Sequence, residues 1–203
     1  DILEEQCAQE TSLIDDLLAL QKIETGGASI HFQTLDLRCL VQNAIQAIAL
    51  TFSTANLQLS VNLPNHDLKL RTDAASLDRV LQELLTNAKK YADADTTVDV
   101  SSVRAPDGQS HIQIVMTNYG EGIDEEDMPY IFEKFRRGKG VTQQAIPGTG
   151  LGLALVKGLV EHLNGSIALV SHPIHAPQPS EQSRLAQIDQ PRWKTQAILT
   201  LPQ

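Results

Sequence analysis

Three polar stretches in a fixed order constrain this chain more than any other feature. The run from Glu83 to Tyr91 carries Glu83, Asn87 and Lys90; Asn118-Tyr-Gly-Glu-Gly122 follows, and Gly148-Thr-Gly-Leu-Gly-Leu153 comes last. Residues three and four apart share a helix face, so Glu83, Asn87 and Lys90 project together while Leu84 and Leu85 turn to the core. The first glycine segment directly follows an alternating apolar run, Ile112, Ile114 and Met116, and the second opens the apolar-periodic segment that begins near Leu151. Each stretch is common alone. Their order and spacing together are not.

The hydrophobic periodicity supplies the frame around them. Leucines and isoleucines at three- and four-residue steps predict a helix over residues 1 to about 24, ended by Gly26-Gly27. Its apolar stripe is too wide for a lone exposed helix, and no partner for it is obvious in this chain. A short strand is expected at Ile30 to Leu35, then a helix capped by Asp36 with Leu37, Leu40, Val41, Ala44, Ile45 and Ile48 on one face. Alternation at Leu57, Leu59, Val61 and Leu63 predicts a strand, and Leu68 with Leu70 begins another. Asp73 is placed to cap the helix that buries Leu77, Val80, Leu81, Leu84, Leu85 and Ala88. Strands follow at Thr97 to Val103 and His111 to Thr117, joined by a Pro106-Asp107-Gly108 turn. Arg137 to Gly150 lacks a period and reads as a mobile loop. A helix at Leu151 to Leu163, a strand at Ser166 to Ser171, an inserted loop at 172–193 and a closing strand at Gln196 to Leu201 complete the chain. The pattern is α+β, a sandwich with helices on one face of a sheet.

Composition narrows the partners. A formal net charge of −9 argues against a nucleic-acid surface, which needs a basic face. No apolar run approaches the roughly 20 residues of a membrane span, so no membrane contact is expected of this stretch. The two cysteines, Cys7 and Cys39, form no Cys-x-x-Cys pair, which fits a reducing, cytoplasmic setting. The chain also begins inside an amphipathic pattern, as a piece of something longer would.

The polar stretches suit a nucleotide with magnesium. Asparagine offers Mg²⁺ a neutral carbonyl oxygen, and Mg²⁺ takes few protein ligands, completing its shell with phosphates and water. Lysine pairs with phosphate charge, and glutamate can orient or deprotonate an attacking group. Gly120 and Gly122 permit close approach to a ring, and Asn118 can accept from an adenine amino group. Amides at the start of the helix after Gly148 attract phosphate. That loop is not the dinucleotide fingerprint, since Leu153 takes the last glycine's place, nor a Walker loop, since no Lys-Ser/Thr follows. Phe132 and Phe135 are expected in the core at the loop's base, with Arg137 or Lys139 reaching a terminal phosphate. The six histidines show no metal-ligand spacing.

With these residues in place, the chain resembles the catalytic ATP-binding domain of sensor histidine kinases, in the superfamily that includes DNA gyrase and MutL. Glu83-x-x-x-Asn87-Ala-x-Lys90-Tyr91 resembles the asparagine box, Asn118-x-Gly120-x-Gly122-Ile123 the first glycine box, and Ile131 to Arg137 the phenylalanine box. Gly148-Thr149-Gly150-Leu151-Gly152 resembles the second glycine box, and Thr195 to Pro202 the last strand. Leu13 to Gly26 is similar to the second helix of the dimerisation and histidine-phosphotransfer region. The resemblance implies a Bergerat-type two-layer α/β sandwich with a mixed sheet, preceded by one long amphipathic helix. It divides the chain into residues 1–26, the end of the dimerisation helix, and 27–203, the catalytic domain, with an ATP lid at 137–149.

The same resemblance implies the roles. Asn87 would chelate Mg²⁺, Lys90 and Arg137 would meet phosphates, Tyr91 would line the nucleotide, and Glu83 would assist the nucleophile. Asn118, Gly120, Gly122, Ile123, Gly148, Thr149, Gly150, Leu151, Gly152 and Thr195 would complete the ATP site. Asn118 stands where many members have aspartate, Lys194 where glycine is usual, and no histidine precedes His31. The expected reaction is transfer of the γ-phosphoryl group of Mg-ATP to a histidine on a helix absent from this chain. The expected partners are that helix, a response-regulator receiver domain and a second copy of the parent protein, whose possible membrane anchor the sequence leaves open. An alternative is a nucleotide-binding regulatory module or pseudokinase. A MutL-like ATPase or an anti-sigma type serine kinase fits less well, because Gln21-Lys-Ile-Glu-Thr-Gly26 leads into a histidine-kinase catalytic domain.

Overall fold

A computed structural model describes residues 2–64, 68–104, 111–138, 148–174 and 192–203. In chain order its elements are α1 (Ile2–Glu24), β1 (Gln33–Asp36), α2 (Leu37–Thr54), β2 (Gln58–Asn62), β3 (Lys69–Thr72), α3 (Ala74–Tyr91), β4 (Thr97–Arg104), β5 (His111–Gly120), a 3₁₀ turn (Met128–Tyr130), α4 (Gly152–His162), β6 (Ser166–Ile174) and β7 (Arg192–Pro202).

Local chemistry sets the helix ends. Gly26 takes φ +68° and the Gly27 amide bonds the Lys22 carbonyl at 2.9 Å, closing α1 with a left-handed residue that glycine adopts without strain. Asp36 accepts from the Arg38 amide at 2.9 Å and opens α2. Asp73 accepts from the Ser76 amide at 2.8 Å, opening α3, and from the His31 amide at 2.8 Å, which ties down the approach to β1.

The main sheet has five strands in the order β2-β4-β5-β7-β6; β2 pairs with β4 in parallel, and the other neighbours are antiparallel. The β1–β3 pair forms a separate two-stranded ribbon. Alternation then divides the sheet's faces. Val98, Val100, Ile112, Ile114, Met116, Leu199 and Leu201 pack against Leu77, Leu81 and Leu84 of α3, Val41 and Ile48 of α2, and Val156 and Val160 of α4. The opposite face is mixed: Val115 pairs with Ile198, and around them Gln113 donates to Thr200 at 3.3 Å and Gln196 to Thr117 at 3.1 Å. The chain is therefore a mixed sheet with helices on one face, as expected.

Several boundaries differ from the sequence reading. The first strand is Gln33–Asp36, shifted from Ile30–Leu35. The loop expected at 172–193 is shorter at both ends, because β6 and β7 stay paired through His172↔Lys194, Pro173↔Trp193 and Ile174↔Arg192. Pro173 is tolerated because β6 is the edge strand among the described residues, where a missing amide on the outer side breaks no ladder bond. The rest of that loop, and the Pro106-Asp107-Gly108 turn, lie outside the described residues.

The wide stripe of α1 is two stripes. Leu20 and Ile23 pack, with Leu13 beside them, on Leu151, Ala154 and Leu155 around the start of α4. Gly158 makes the contact close: a Cβ there would stand 3.3 Å from Ile23 Cγ2. The neighbouring stripe, Ile14, Leu17 and Leu18, remains exposed. Part of the partner surface that the stripe requires is thus present in the chain.

Candidate nucleotide site

The buried side of α3 is fixed by Leu77, Leu81, Leu84, Leu85 and Ala88, which leaves Glu83, Asn87 and Lys90 on the side facing the two glycine loops. A methyl group on Gly152 would stand 2.7 Å from Glu83 Oε2, and one on Gly148 would collide with Lys90 Nζ. Glu83 and Lys90 therefore reach both ends of the second glycine loop, with Asn87 one turn from each. Gly150 has φ +73° and lies against the Phe135 and Arg136 backbone, so it needs glycine for conformation and for space. The Leu151 amide donates to Thr149 Oγ1 at 3.3 Å, which orders the loop where α4 begins.

The first glycine loop is held from two sides. A Cβ on Gly120 would collide with the Tyr91 carbonyl at the end of α3, and one on Gly122, at φ +81°, with the Trp193 indole. Asn118 is buried, and its Nδ2 donates to the Tyr91 carbonyl at 3.4 Å. Only the nitrogen end of an amide can donate to that carbonyl, which leaves Oδ1 as the acceptor. The Ile123 amide donates to Ser171 Oγ at 3.1 Å, and Ser171 Oγ meets Thr195 Oγ1 at 3.0 Å. Thr195 thus supports the loop through β6.

Charge is concentrated between these loops. Burial pushes the Glu83 carboxyl up, as does Asp16, while Arg79 and Lys90 oppose the rise. Burial also pushes the Lys90 ammonium down, helped by the nearby Arg137 and opposed by Glu83. Tyr91, half exposed, has its hydroxyl raised by burial and lowered by Arg137. Arg137 is therefore close enough to act on the same space as Lys90. No cluster of three His, Cys, Asp or Glu side chains suited to a metal occurs among the described residues. The donor set would fit Mg²⁺ only as a phosphate-bound ion, to which Asn87 could offer a single carbonyl oxygen.

Not every expected residue faces this space. The Leu151 side chain is fully buried between α1 and α4, so it anchors the loop and only its backbone lies at the site. Phe135, expected in the core, is 61 % exposed with φ +61°, a left-handed conformation that turns the ring outward. Residues 139–147 of the expected lid, Lys139 among them, lie outside the described residues. Three nearby residues carried no signal strong enough to read: Arg79 bonds Glu83 at 2.9 Å, Trp193 covers Gly122, and Ser171 joins Ile123 to Thr195. Arg79 lies four residues before Glu83, a spacing that sequence alone could have paired.

Comparison with known proteins accords with this geometry. The model of the family described as histidine kinase-, DNA gyrase B- and HSP90-like ATPases matches residues 72–203. The chain is 29% identical over 164 residues to Sensor protein EvgS of Escherichia coli O157:H7, covering 79% of this chain and 14% of that protein. It is 29% identical over 171 residues to Histidine protein kinase DivJ of Caulobacter vibrioides, covering 84% and 28%. Among solved structures, Acinetobacter baumannii histidine kinase AdeS superposes with a TM-score of 0.72 at 20% identity, over 98% of this chain and 81% of that one. Full-length ShkA in complex with AMPPNP superposes with a TM-score of 0.76 at 18% identity, over 99% and 37%. The chain belongs to this ATPase family, and the curated relatives it matches carry the names of sensor and histidine kinases. It spans less than a third of either of those curated relatives.

Proposed function

We propose that this chain binds Mg-ATP between α3 and the two glycine loops and presents the γ-phosphoryl group to a histidine imidazole on a helix outside the chain. The observation that carries this reading is the pair of contacts by which Lys90 and Glu83 reach Gly148 and Gly152, at the two ends of one phosphate-sized loop. Loop amides and the N-terminus of α4 hold phosphate oxygens, and Lys90 with Arg137 neutralises their charge. Asn118 Oδ1 accepts from the adenine amino group. Asn87 would hold Mg²⁺ through its carbonyl oxygen, and the ion would supply positive charge that offsets the phosphates. Glu83, made more basic by burial, orients or deprotonates the attacking imidazole.

In this reading residues 1–26 end a dimerisation and phosphotransfer helix, and residues 27–203 form the catalytic domain with a lid over 137–149. The parent protein works as a dimer, passes phosphate to a receiver domain, and carries this portion in the cytoplasm. The 203 residues alone bind ATP and do not phosphorylate themselves.

Glu83→Gln tests the assignment in a chain extended to include the acceptor helix. A group acting in the transition state affects kcat more than affinity, so ATP binding should persist while phosphohistidine forms about a hundredfold more slowly. Lost ATP binding with unchanged turnover per bound nucleotide would refute the role of Glu83. Binding without any transfer in the unsubstituted protein would favour the pseudokinase.

A further inference from the structure

Asp16 is out of place on α1. Its neighbours Ile14, Leu17 and Leu18 are 56%, 39% and 49% exposed, yet Asp16 itself is 5% exposed. A carboxylate gives up water only where a partner replaces it. That partner is Arg79 of α3, whose Nη2 lies 2.5 Å from Asp16 Oδ1 and 2.9 Å from Glu83 Oε1. A guanidinium nitrogen of this kind carries two hydrogens, so one Nη2 can serve both carboxylates. The two oxygens of Glu83 are thereby distinguished. Oε1 is held by Arg79, while Oε2 points to the start of α4, 2.7 Å from where a Cβ on Gly152 would lie.

The rest of the α1 contact fixes the Asp16 end of this bridge. Leu20 and Ile23 are buried against Leu151, Ala154 and Leu155, and Leu151 lies within the second glycine loop. The same packed surface therefore orders that loop and seats Asp16 over Arg79. Without Asp16, Arg79 is an exposed-helix cation paired i to i+4 with Glu83, a weak restraint on either side chain.

We propose that Arg79 is a positioning residue: anchored by Asp16 of α1, it holds Glu83 Oε1 so that Oε2 stays aimed at the second glycine loop. The inference rests on Glu83 acting on the nucleophile. It makes α1 part of the catalytic geometry as well as a structural arm, because the Asp16–Arg79 link that anchors the bridge exists only while α1 is docked.

The test compares Asp16→Asn, Arg79→Gln, Arg79→Lys and Glu83→Gln in the kinase that includes the acceptor helix, reading phosphohistidine formation against ATP concentration. Asp16→Asn and Arg79→Gln should each lower kcat about tenfold, the scale of a misplaced catalytic group, and leave the KM for ATP within about twofold of the wild type. Arg79→Lys keeps a cation between the carboxylates and should recover part of the loss. The double variant Asp16→Asn/Arg79→Gln should be no slower than Arg79→Gln alone, since both changes break one chain of contacts. Calorimetry with Mg-ATP on each variant checks that the site is folded. Should Asp16→Asn fail that check, Arg79→Lys against Arg79→Gln carries the same comparison. If Glu83→Gln abolishes transfer while Asp16→Asn and Arg79→Gln turn over like the wild type, the positioning role is overturned and the role of Glu83 stands. If Glu83→Gln turns over normally, the role of Glu83 falls, and the positioning role with it. A rise in kcat on Asp16→Asn would mean that the bridge restrains Glu83 instead of aiming it, and would also overturn the inference.

Discussion

Asn118 shows how one backbone group decides what a side chain offers a ligand. The Tyr91 carbonyl takes the nitrogen end of its amide, so the site is left with an acceptor. An acceptor suits the 6-amino group of adenine and opposes the 6-oxo group of hypoxanthine. Wild-type protein should therefore bind ATP more tightly than inosine triphosphate. Asn118→Ala should lose about tenfold in ATP affinity, near the upper range for one hydrogen bond, and most of the preference between the two bases. Competition binding with both nucleotides measures it, and a preference that survives intact would move the base contact elsewhere. At this scale the sequence was informative where spacing alone determines direction, as for Glu83, Asn87 and Lys90 on α3. It was silent where tertiary register decides. Trp193 reaches Gly122 because β7 pairs Gly120 with Trp193, a neighbour far away in sequence. Phe135 looked like core because phenylalanine usually is, and its outward turn depends on a backbone angle that no pattern encodes.

Among the elements, α3 depends on Asp73 more than on any propensity of its own. Burial pushes that carboxyl up, but amide bonds from Ser76 and His31 outweigh burial and hold it below the usual carboxylate range. Its contribution is accordingly present above the unfolded-state pKa and is lost as pH falls through the lower folded-state value. Asp73→Ala should cost about 1–2 kcal/mol near neutral pH, the cost of losing an N-cap, and the difference from wild type should shrink in acid. Denaturant melts at the two pH values check both size and sign; a gap that widens in acid would contradict it. Helices α2 and α3 were legible because an aspartate precedes each apolar-periodic run. The ends of β6 and β7 were not, since Pro173 reads as a breaker until the strand is known to lie at a sheet edge.

At the level of the whole molecule, α1 belongs to two surfaces. One stripe docks on α4, and the Glu24–Lys134 pair at 2.5 Å adds little because both side chains are well exposed. The other stripe leaves Ile14, Leu17 and Leu18 facing outward, an apolar strip on one side of a helix of the kind that packs against a partner. Weak, concentration-dependent self-association should follow. Leu18→Glu should reduce it without changing nucleotide affinity, as sedimentation and calorimetry would show; association unaffected by Leu18→Glu would place the contact on another face.

In the proposed binding mode, α3 and the two glycine loops hold a nucleotide through magnesium at Asn87. Calorimetric titration of ATP into wild-type protein and Asn87→Ala, each with Mg²⁺ and with the metal chelated, addresses it directly. Mg²⁺ should tighten ATP binding to the wild type by at least about tenfold, a coupling of roughly 1.4 kcal/mol, and Asn87→Ala should lose that gain while binding metal-free ATP as before. Equal affinity of the two proteins for Mg-ATP would contradict it.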